Sequence, residues 1–186
     1  MVEVPPISLS KFQGNDFSIA EQAGPHVWFL ILNAKEGPFS NKKVRQAANY
    51  AINKEAIVKD VLEGTAAIAA GPTPPAFAWA YNNNLQPYPY NPEKAKALLN
   101  EANLSDKKLT FYVTQGGSGM LDPVAMGTAI QADLEAVGFD VEIKTFEWNA
   151  FLGEVNPGLE GKADMAEMAW MTNDPDTLPY LALRTG

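Results

Sequence analysis

The chain of 186 residues contains no cysteine and a single histidine, His26. Without thiols it can form neither disulfides nor zinc–thiolate sites, and it has no cysteine nucleophile. A metal site would depend on carboxylates, a poor donor set for zinc or nickel, so we predict neither a metal nor a cofactor. His26 opens an apolar segment, which favours an edge or core histidine over a ligand. A Ser-His-Asp triad would have to use His26, because the chain contains no other histidine.

Positive charge and long apolar runs are also scarce. Acidic side chains outnumber basic ones by 22 to 14, and the net charge of −8 argues against nucleic acid or an anionic membrane surface as a partner. No segment approaches the ~20 apolar residues of a membrane-spanning helix. Residues 1–6 lack the basic and apolar regions of a signal peptide, and the apolar segment 181–186 stops abruptly. We therefore expect a piece excised from a longer exported chain.

Apolar residues make up 46% of the sequence, enough for one sizeable core. Four segments have the length and the β-branched or aromatic content of strands, namely 26–33, 109–113, 139–146 and 164–171. The first is continuously apolar and predicts a buried central strand. A helix between the second and third predicts a right-handed parallel crossover. The fold class predicted is α/β, a mixed sheet flanked by helices, with residues 1–186 forming a single unit.

Helices are predicted mainly from apolar periodicity and start signals. The apolar stripe Val44–Ile52 marks one helix, Asn53 caps a second that Gly64 ends, and Asn91-Pro92 starts a third. Further helices are expected over 122–137 and 147–155. Residues 69–90 are rich in proline and predict a long ordered surface loop. Its expected anchors are aromatic: Phe77, Trp79, Tyr81, Tyr88 and Tyr90.

Two short motifs invite a chemical interpretation. The turn Gly116-Gly117-Ser118-Gly119 lies between a strand and a helix, but it lacks the Lys-Ser/Thr of a phosphate loop and the GxGxxG spacing. A flexible connection is the favoured interpretation. Asp174-Pro175-Asp176 is typical of a helix-start turn, and its two carboxylates cannot be assigned as an acid/base pair without geometry. The sequence therefore gives no positive case for an enzyme.

Several blocks in order resemble family 5 of the bacterial extracellular solute-binding proteins, the peptide, dipeptide and nickel receptors of ABC importers. Residues 37–55 resemble the family's signature segment, and residues 88–99 its "Y-x-Y-(D/N)-P-E-K-A-K-x-L-L" block. Residues 124–138 resemble its "I-Q-x-(D/N)-L" helix, and residues 164–176 its strand ending in Trp followed by "D-P-D". Together the blocks cover about residues 26–180.

The resemblance implies a two-lobed receptor that closes over a ligand and delivers it to a membrane permease. The blocks are those of the C-terminal lobe, so residues 1–186 would be part of that lobe in a type II-like periplasmic clamshell. The expected partners are a peptide or another small polar ligand, the missing N-terminal lobe and an ABC permease. The full-length protein would be periplasmic, or lipid-anchored outside the cell.

The resemblance also places the candidate ligand site after the strand that ends in Trp170. The flat apolar ring of Trp170 would form one wall of the cleft, with Met171, Thr172, Asn173 and Asp174 continuing its edge; a core Trp ending a strand is the equal alternative. Trp148, Phe77 and Trp79 are interpreted as packing residues. Peptide-binding members carry an Asp three residues after this Trp, which pairs with the ligand's α-ammonium, and here that position is Asn173. An Asn cannot neutralise an ammonium, so a glutathione-like, opine-like, sugar or other polar ligand stays open.

Two other classes remain as alternatives to a transport receptor. One is a hydrolase of the α/β class that uses carboxylates, which would require two carboxylates converging in a concave site. The other is a stand-alone sensor or interaction module. An apolar face left exposed by a missing lobe would favour a fragment over both.

Overall fold

The structure, a computed structural model, describes residues 6–12, 18–20, 24–171 and 173–180. Its strands are β1 (His26–Leu32), β2 (Lys108–Thr114), β3 (Asp140–Phe146) and β4 (Met165–Met171). Its α-helices are α1 (Lys42–Ala51), α2 (Lys54–Ala56), α3 (Pro92–Ala102), α4 (Pro123–Ala136) and α5 (Trp148–Val155). Short 3₁₀ turns cover Pro6–Phe12 and Pro38–Ser40, and a π-helical turn, Ile57–Val61, continues α2.

The four strands form one mixed sheet in the order β1-β4-β2-β3. β2 is parallel to both β3 and β4, with α4 between β2 and β3, which confirms the predicted parallel crossover. β1 runs antiparallel to β4 and is an edge strand among the described residues. The prediction of a central β1 was wrong. Its apolar side chains are mostly half-buried, since helices and loops cover its faces only in part.

Side-chain caps start helices α1 to α4, and those at Asn53, Asn91 and Asp122 lie where the sequence predicted helix starts. The Oδ1 atoms of Asn41, Asn53 and Asn91 accept from backbone N–H groups of Lys43, Ala56 and Lys94 at 2.9–3.0 Å. Asp122 does the same at the start of α4, with Ala125 N at 3.1 Å. Each cap supplies an acceptor to a donor that the helix leaves unpaired in its first turn.

The sheet separates two apolar cores of unequal size. The larger core lies on the face covered by α1 and α4, and α3 packs on α1 behind them. Strand alternation sends Leu109, Phe111, Val113 and Met165 to this face. The smaller core lies under α5 on the opposite face. Its buried members are Tyr112, Phe151, Val155, Leu159, Ala163, Ala166 and Met168.

Residues 69–90 contain neither a helix nor a strand, as predicted. Tyr88 does anchor this loop, because its ring meets that of Tyr50 on α1 at 5.0 Å in a T-shaped arrangement. Trp79 is 82% exposed, so its predicted roles as an anchor and a packing residue were wrong for the described chain. The sequence of a proline-rich loop does not show whether its indole side chain is buried.

Candidate functional site

The parallel strands β2, β3 and β4 end at the same edge of the sheet, called here the carboxyl edge. In α/β sheets ligands bind in the crevice outside these strand ends. The segments that follow the strands are the turn Gln115–Met120, Glu147 with the start of α5, and residues 171, 173 and 174. Because β1 is antiparallel, its first residue His26 pairs with Met171 and reaches this edge too. The predicted ligand residues that the structure describes therefore lie where this fold presents contacts.

The turn Gln115–Met120 is fastened to its neighbours, although the sequence favoured a flexible connection. Ser118 Oγ donates to the Ala169 carbonyl at 2.6 Å, which ties the turn to β4. Gln115 N donates to the Phe146 carbonyl at 2.8 Å, which ties it to β3. Within the turn, Met120 N donates to the Gly117 carbonyl at 3.0 Å. The turn thus spans the carboxyl ends of three strands.

Two glycines let the turn approach other side chains closely. Gly117 has φ +114°, and a Cβ there would collide with the Trp148 indole. Gly119 has φ +72°, and a Cβ there would lie 2.7 Å from His26 Nε2. Both positions need glycine for conformation and for space. Trp148 and His26 therefore flank the turn as packing partners, in line with the predicted roles of both.

Trp170 is half-buried near the end of β4. Its ring meets that of Phe29 at 6.5 Å, edge to face, and both belong to the margin of the smaller core. This packing fixes one side of the indole and leaves part of its surface at the carboxyl edge. Trp170 therefore has a packing role on the side that meets Phe29, and contact of its remaining surface with a ligand stays a prediction.

The residues after Trp170 are exposed, in agreement with a surface edge. Met171 is 64% exposed, and Asn173 and Asp174 are exposed as well. Thr172 lies outside the described residues. Asp174 Oδ1 accepts from Asp176 N at 2.8 Å, and the Asp174 carbonyl accepts from Thr177 N at 3.2 Å. Asp174 therefore begins a helical turn, as its Asp-Pro-Asp motif predicted.

Glu167 is the residue that sequence reasoning missed. It lies in the middle of β4, is 0% exposed, and neither carboxylate oxygen has a hydrogen-bond partner among the described residues. Burial raises the pKa of this carboxyl to about 8; the nearby Thr114 N–H opposes the shift and the negative charge of Asp122 adds to it. The only available signal was a charged residue inside an otherwise apolar strand.

The hydrolase alternative required two carboxylates in a concave site. Asp122 acts on Glu167 electrostatically, but Asp122 is an exposed helix cap while Glu167 is enclosed in the core. Across the described ranges, no group of three or more His, Cys, Asp or Glu side chains could hold a metal ion. In the same ranges no helix is long and apolar enough to cross a membrane.

The mixed sheet with its flanking helices is part of the fold of the type II periplasmic binding proteins. The family model described as bacterial extracellular solute-binding proteins, family 5 Middle, matches residues 1–186, and the chain belongs to this family. The family and its relatives are binding proteins, which points away from the hydrolase alternative.

This chain spans about a third of the length of the relatives that it matches. The chain is 36% identical to the dipeptide-binding protein of Escherichia coli over 168 residues, 88% of this chain and 31% of that protein. It is 38% identical to heme-binding protein A of Haemophilus influenzae over 150 residues, 77% of this chain and 27% of that protein. The periplasmic binding protein DppA of Helicobacter pylori, solved with the peptide STSA, superposes with a TM-score of 0.82 and 32% identity. That match covers 95% of this chain and 33% of DppA.

Proposed function

We propose that this chain is the C-terminal lobe, in part, of the substrate-binding receptor of a bacterial ABC importer. The observation that carries the proposal is the match to peptide-bound DppA, in which nearly all of this chain corresponds to a third of a longer protein. A second lobe would face the carboxyl edge and complete the cleft. Ligand binding would shift the open–closed equilibrium of the two lobes, and the closed form would dock on the permease.

The ligand would lie against Trp170, Met171, Thr172, Asn173 and Asp174. Trp170 is held from one side by Phe29, so it offers a rigid apolar surface at little cost in side-chain entropy. Asn173 supplies hydrogen bonds without charge, and Asp174 supplies a carboxylate that is already engaged by Asp176 N. This combination supports a small peptide or a related polar solute whose ammonium is not paired as in the peptide-binding members.

A relative supports the proposed natural setting. The DppA neighbour is a periplasmic binding protein, so the longer protein that carries this chain would work in the periplasm or anchored by lipid outside the membrane. Its partners would be the N-terminal lobe of the same chain and an ABC permease.

Isothermal titration tests the proposal on this chain and on the longer protein that contains it. The titrants are dipeptides, tripeptides, glutathione, an opine and an oligosaccharide. We expect the longer protein to bind one of these titrants and the 186-residue chain not to bind it. Trp170→Ala in the longer protein should weaken binding about tenfold or more. Trp79→Ala is the matched control, because it removes an exposed indole from the loop 69–90. Tight binding by the 186-residue chain on its own would contradict the two-lobe account. Unchanged binding by the Trp170→Ala variant would contradict the proposed position of the ligand site.

A further inference from the structure

The two edges of the sheet differ in how they are protected against pairing with a further strand. β3, one edge strand of the described sheet, carries three exposed charged side chains, Asp140, Glu142 and Lys144. β1, the other edge strand, has the sequence HVWFLIL, without an acidic residue, a lysine, an arginine or a proline. Proteins protect an open strand edge with charges, prolines or bulges, because its unpaired N–H and C=O groups are a template for another strand. The charges of β3 give such protection, and β1 has none of them.

The faces of β1 are covered only in part. Trp28, Leu30 and Leu32 pack at the margin of the larger core. Phe29 and Ile31 pack at the margin of the smaller core, and all five side chains are half-buried. A strand that is apolar on both faces is typical of the interior of a sheet, where neighbouring elements cover it. Within the described chain β1 pairs with β4 alone, so it has the composition of an interior strand and the position of an edge strand.

An apolar cavity of about 350 Å³ lies against β1 on the larger-core face. Trp28, Leu30 and Leu32 line it from the strand, and residues 66–69, the ends of α1 and α2, and α4 line it from the other sides. None of the carboxyl-edge segments contributes to the lining, so the cavity is separate from the candidate ligand site. When a strand is added to a sheet edge, its backbone pairs with the edge and alternate side chains enter pockets beside it. The cavity lies where such side chains would enter.

We propose that, in the longer protein, a further strand of the same polypeptide pairs with the free edge of β1 and places apolar side chains in the cavity. This chain spans about a third of the length of its relatives, so a protein of their size has enough chain outside these 186 residues. The inference rests on the proposed function in one respect, namely that the 186 residues belong to a longer receptor chain. The rest of that chain contacts this lobe at two places, across the cleft at the carboxyl edge and along β1.

Two other occupants fit the observations less well. A segment of the same polypeptide is tethered to this lobe, so its effective concentration at the edge exceeds that of a second copy in solution. A small apolar molecule in the cavity would leave the outward N–H and C=O groups of β1 without partners. Only an added strand covers both the backbone edge and the apolar side chains beside it.

The test is residue-resolved amide hydrogen exchange on the longer protein, with the 186-residue chain as the comparison. In an antiparallel pair every second backbone N–H of a strand faces away from its partner, so these outward amides of β1 report on its free edge. In the longer protein we expect them to exchange about a hundredfold or more slower than unprotected amides. In the monomeric 186-residue chain we expect them to exchange within about tenfold of the unprotected rate.

A Leu32→Lys variant of the longer protein tests whether the cavity is covered. Leu32 is half-buried in the described chain, and an added strand would enclose it further. A lysine there should speed the exchange of the outward amides about tenfold or more, because its charge would be placed under the added strand. Thr145→Lys introduces the same charge at an exposed position of β3 and is the matched control. Its β1 amides should exchange as in the wild type, and circular dichroism establishes that both variants are folded.

Three outcomes would overturn the inference. The first is rapid exchange of the outward amides in the longer protein, or equal protection in the monomeric 186-residue chain, because no outside segment would then cover the edge. The second is protection that disappears on dilution together with a dimer in sedimentation equilibrium, which would make the partner a second copy. The third is exchange at the wild-type rate in the folded Leu32→Lys variant, which would mean that nothing covers the cavity.

Ligand titration of the longer protein tests the proposed function separately. Protected outward amides without binding of any titrant would support the added strand and contradict the receptor function. Ligand binding with rapidly exchanging outward amides would support the receptor function and contradict the added strand.

Discussion

The two faces of the sheet differ in size and in how completely their polar groups are paired. The smaller core under α5 is closed by aromatic contacts, with Tyr112–Phe146 at 4.8 Å and Trp148–Phe151 stacked at 5.9 Å. Within the described part of the chain, the larger-core face carries a cavity of about 350 Å³ beside β1, the unpaired Trp28 Nε1 and, by strand alternation from Met165, the buried Glu167. Extensive apolar burial can offset the free-energy cost of an unpaired polar group, whereas a small core buries too little apolar surface to do so. The buried polar groups without a described partner therefore lie on the face with the larger apolar core.

The largest expected effect comes from breaking the smaller core. Phe151 is fully buried and stacks on Trp148. Phe151→Ala should lower the free energy of unfolding by about 3–5 kcal/mol, because it removes most of a buried ring and leaves a cavity. Urea denaturation measures the change. Met171→Ala, which shortens an exposed side chain on β4, is the control and should change stability by less than about 0.5 kcal/mol. A similar small loss in Phe151→Ala would mean that this core is loosely packed.

The second prediction concerns the pH dependence of stability that Glu167 causes on the larger-core face. The pKa of Glu167 is raised from 4.5 to about 8, so the native state keeps a proton that the unfolded chain loses as the pH rises above 4.5. Stability should be complete below pH 4.5, fall as the pH rises towards 8, and then level off. At pH 7 the loss is about 3 kcal/mol, at 1.36 kcal/mol for each pH unit.

Glu167→Gln should remove this slope, since the amide does not titrate. Urea unfolding of both proteins from pH 4 to pH 9 measures the difference. Glu142→Gln, at an exposed position of β3, is the matched control. Parallel stability curves for the wild type and Glu167→Gln would show that Glu167 is ionised in the native state and has a partner.

The smallest effect compares helix starts on the two faces. Asn91 caps α3, behind the larger core, by accepting from Lys94 N at 2.9 Å, whereas Glu147 caps α5 by accepting from Asn149 N at 3.0 Å. Asn91→Ala should cost about 1 kcal/mol, and Glu147→Ala about 0.5 kcal/mol, since glutamate is a weaker N-cap. Thermal unfolding distinguishes the two. A larger loss for Glu147→Ala would reverse the ranking and show that the smaller core depends on its cap.

The sequence predicted elements that depend on local chemistry. Asn53, Asn91 and Asp122 start helices as predicted, because a capping side chain acts on its immediate neighbours. The parallel crossover followed from strand, helix and strand with short links. The position of β1 did not follow, because an apolar run shows burial and does not show which strands lie beside it.

The site was predicted less completely than the fold. Trp170, Asn173 and Asp174 do lie at the carboxyl edge, and family blocks located them. The tethered turn was missed because Ser118 and Ala169 meet only in three dimensions. Glu167 was missed because a single acidic residue in a strand gives no sign of its partners. The cavity beside β1 was missed because its lining comes from β1, α1, α2 and α4, which meet only in the folded chain.

The pairing of β1 with β4 has a consequence for how the chain folds. Among the described residues the first strand pairs with the last, and just beyond this pair Asn33 Nδ2 donates to the carbonyl of Ala163, 130 residues further along the chain. Such distant contacts form late, because a long loop must close before they contribute. During synthesis β1 lacks its partner until β4 has been made, and until then its apolar side chains and the edge that faces β4 are unsatisfied. Segments between the two strands, such as α1 and α3, can pack together before this pair forms.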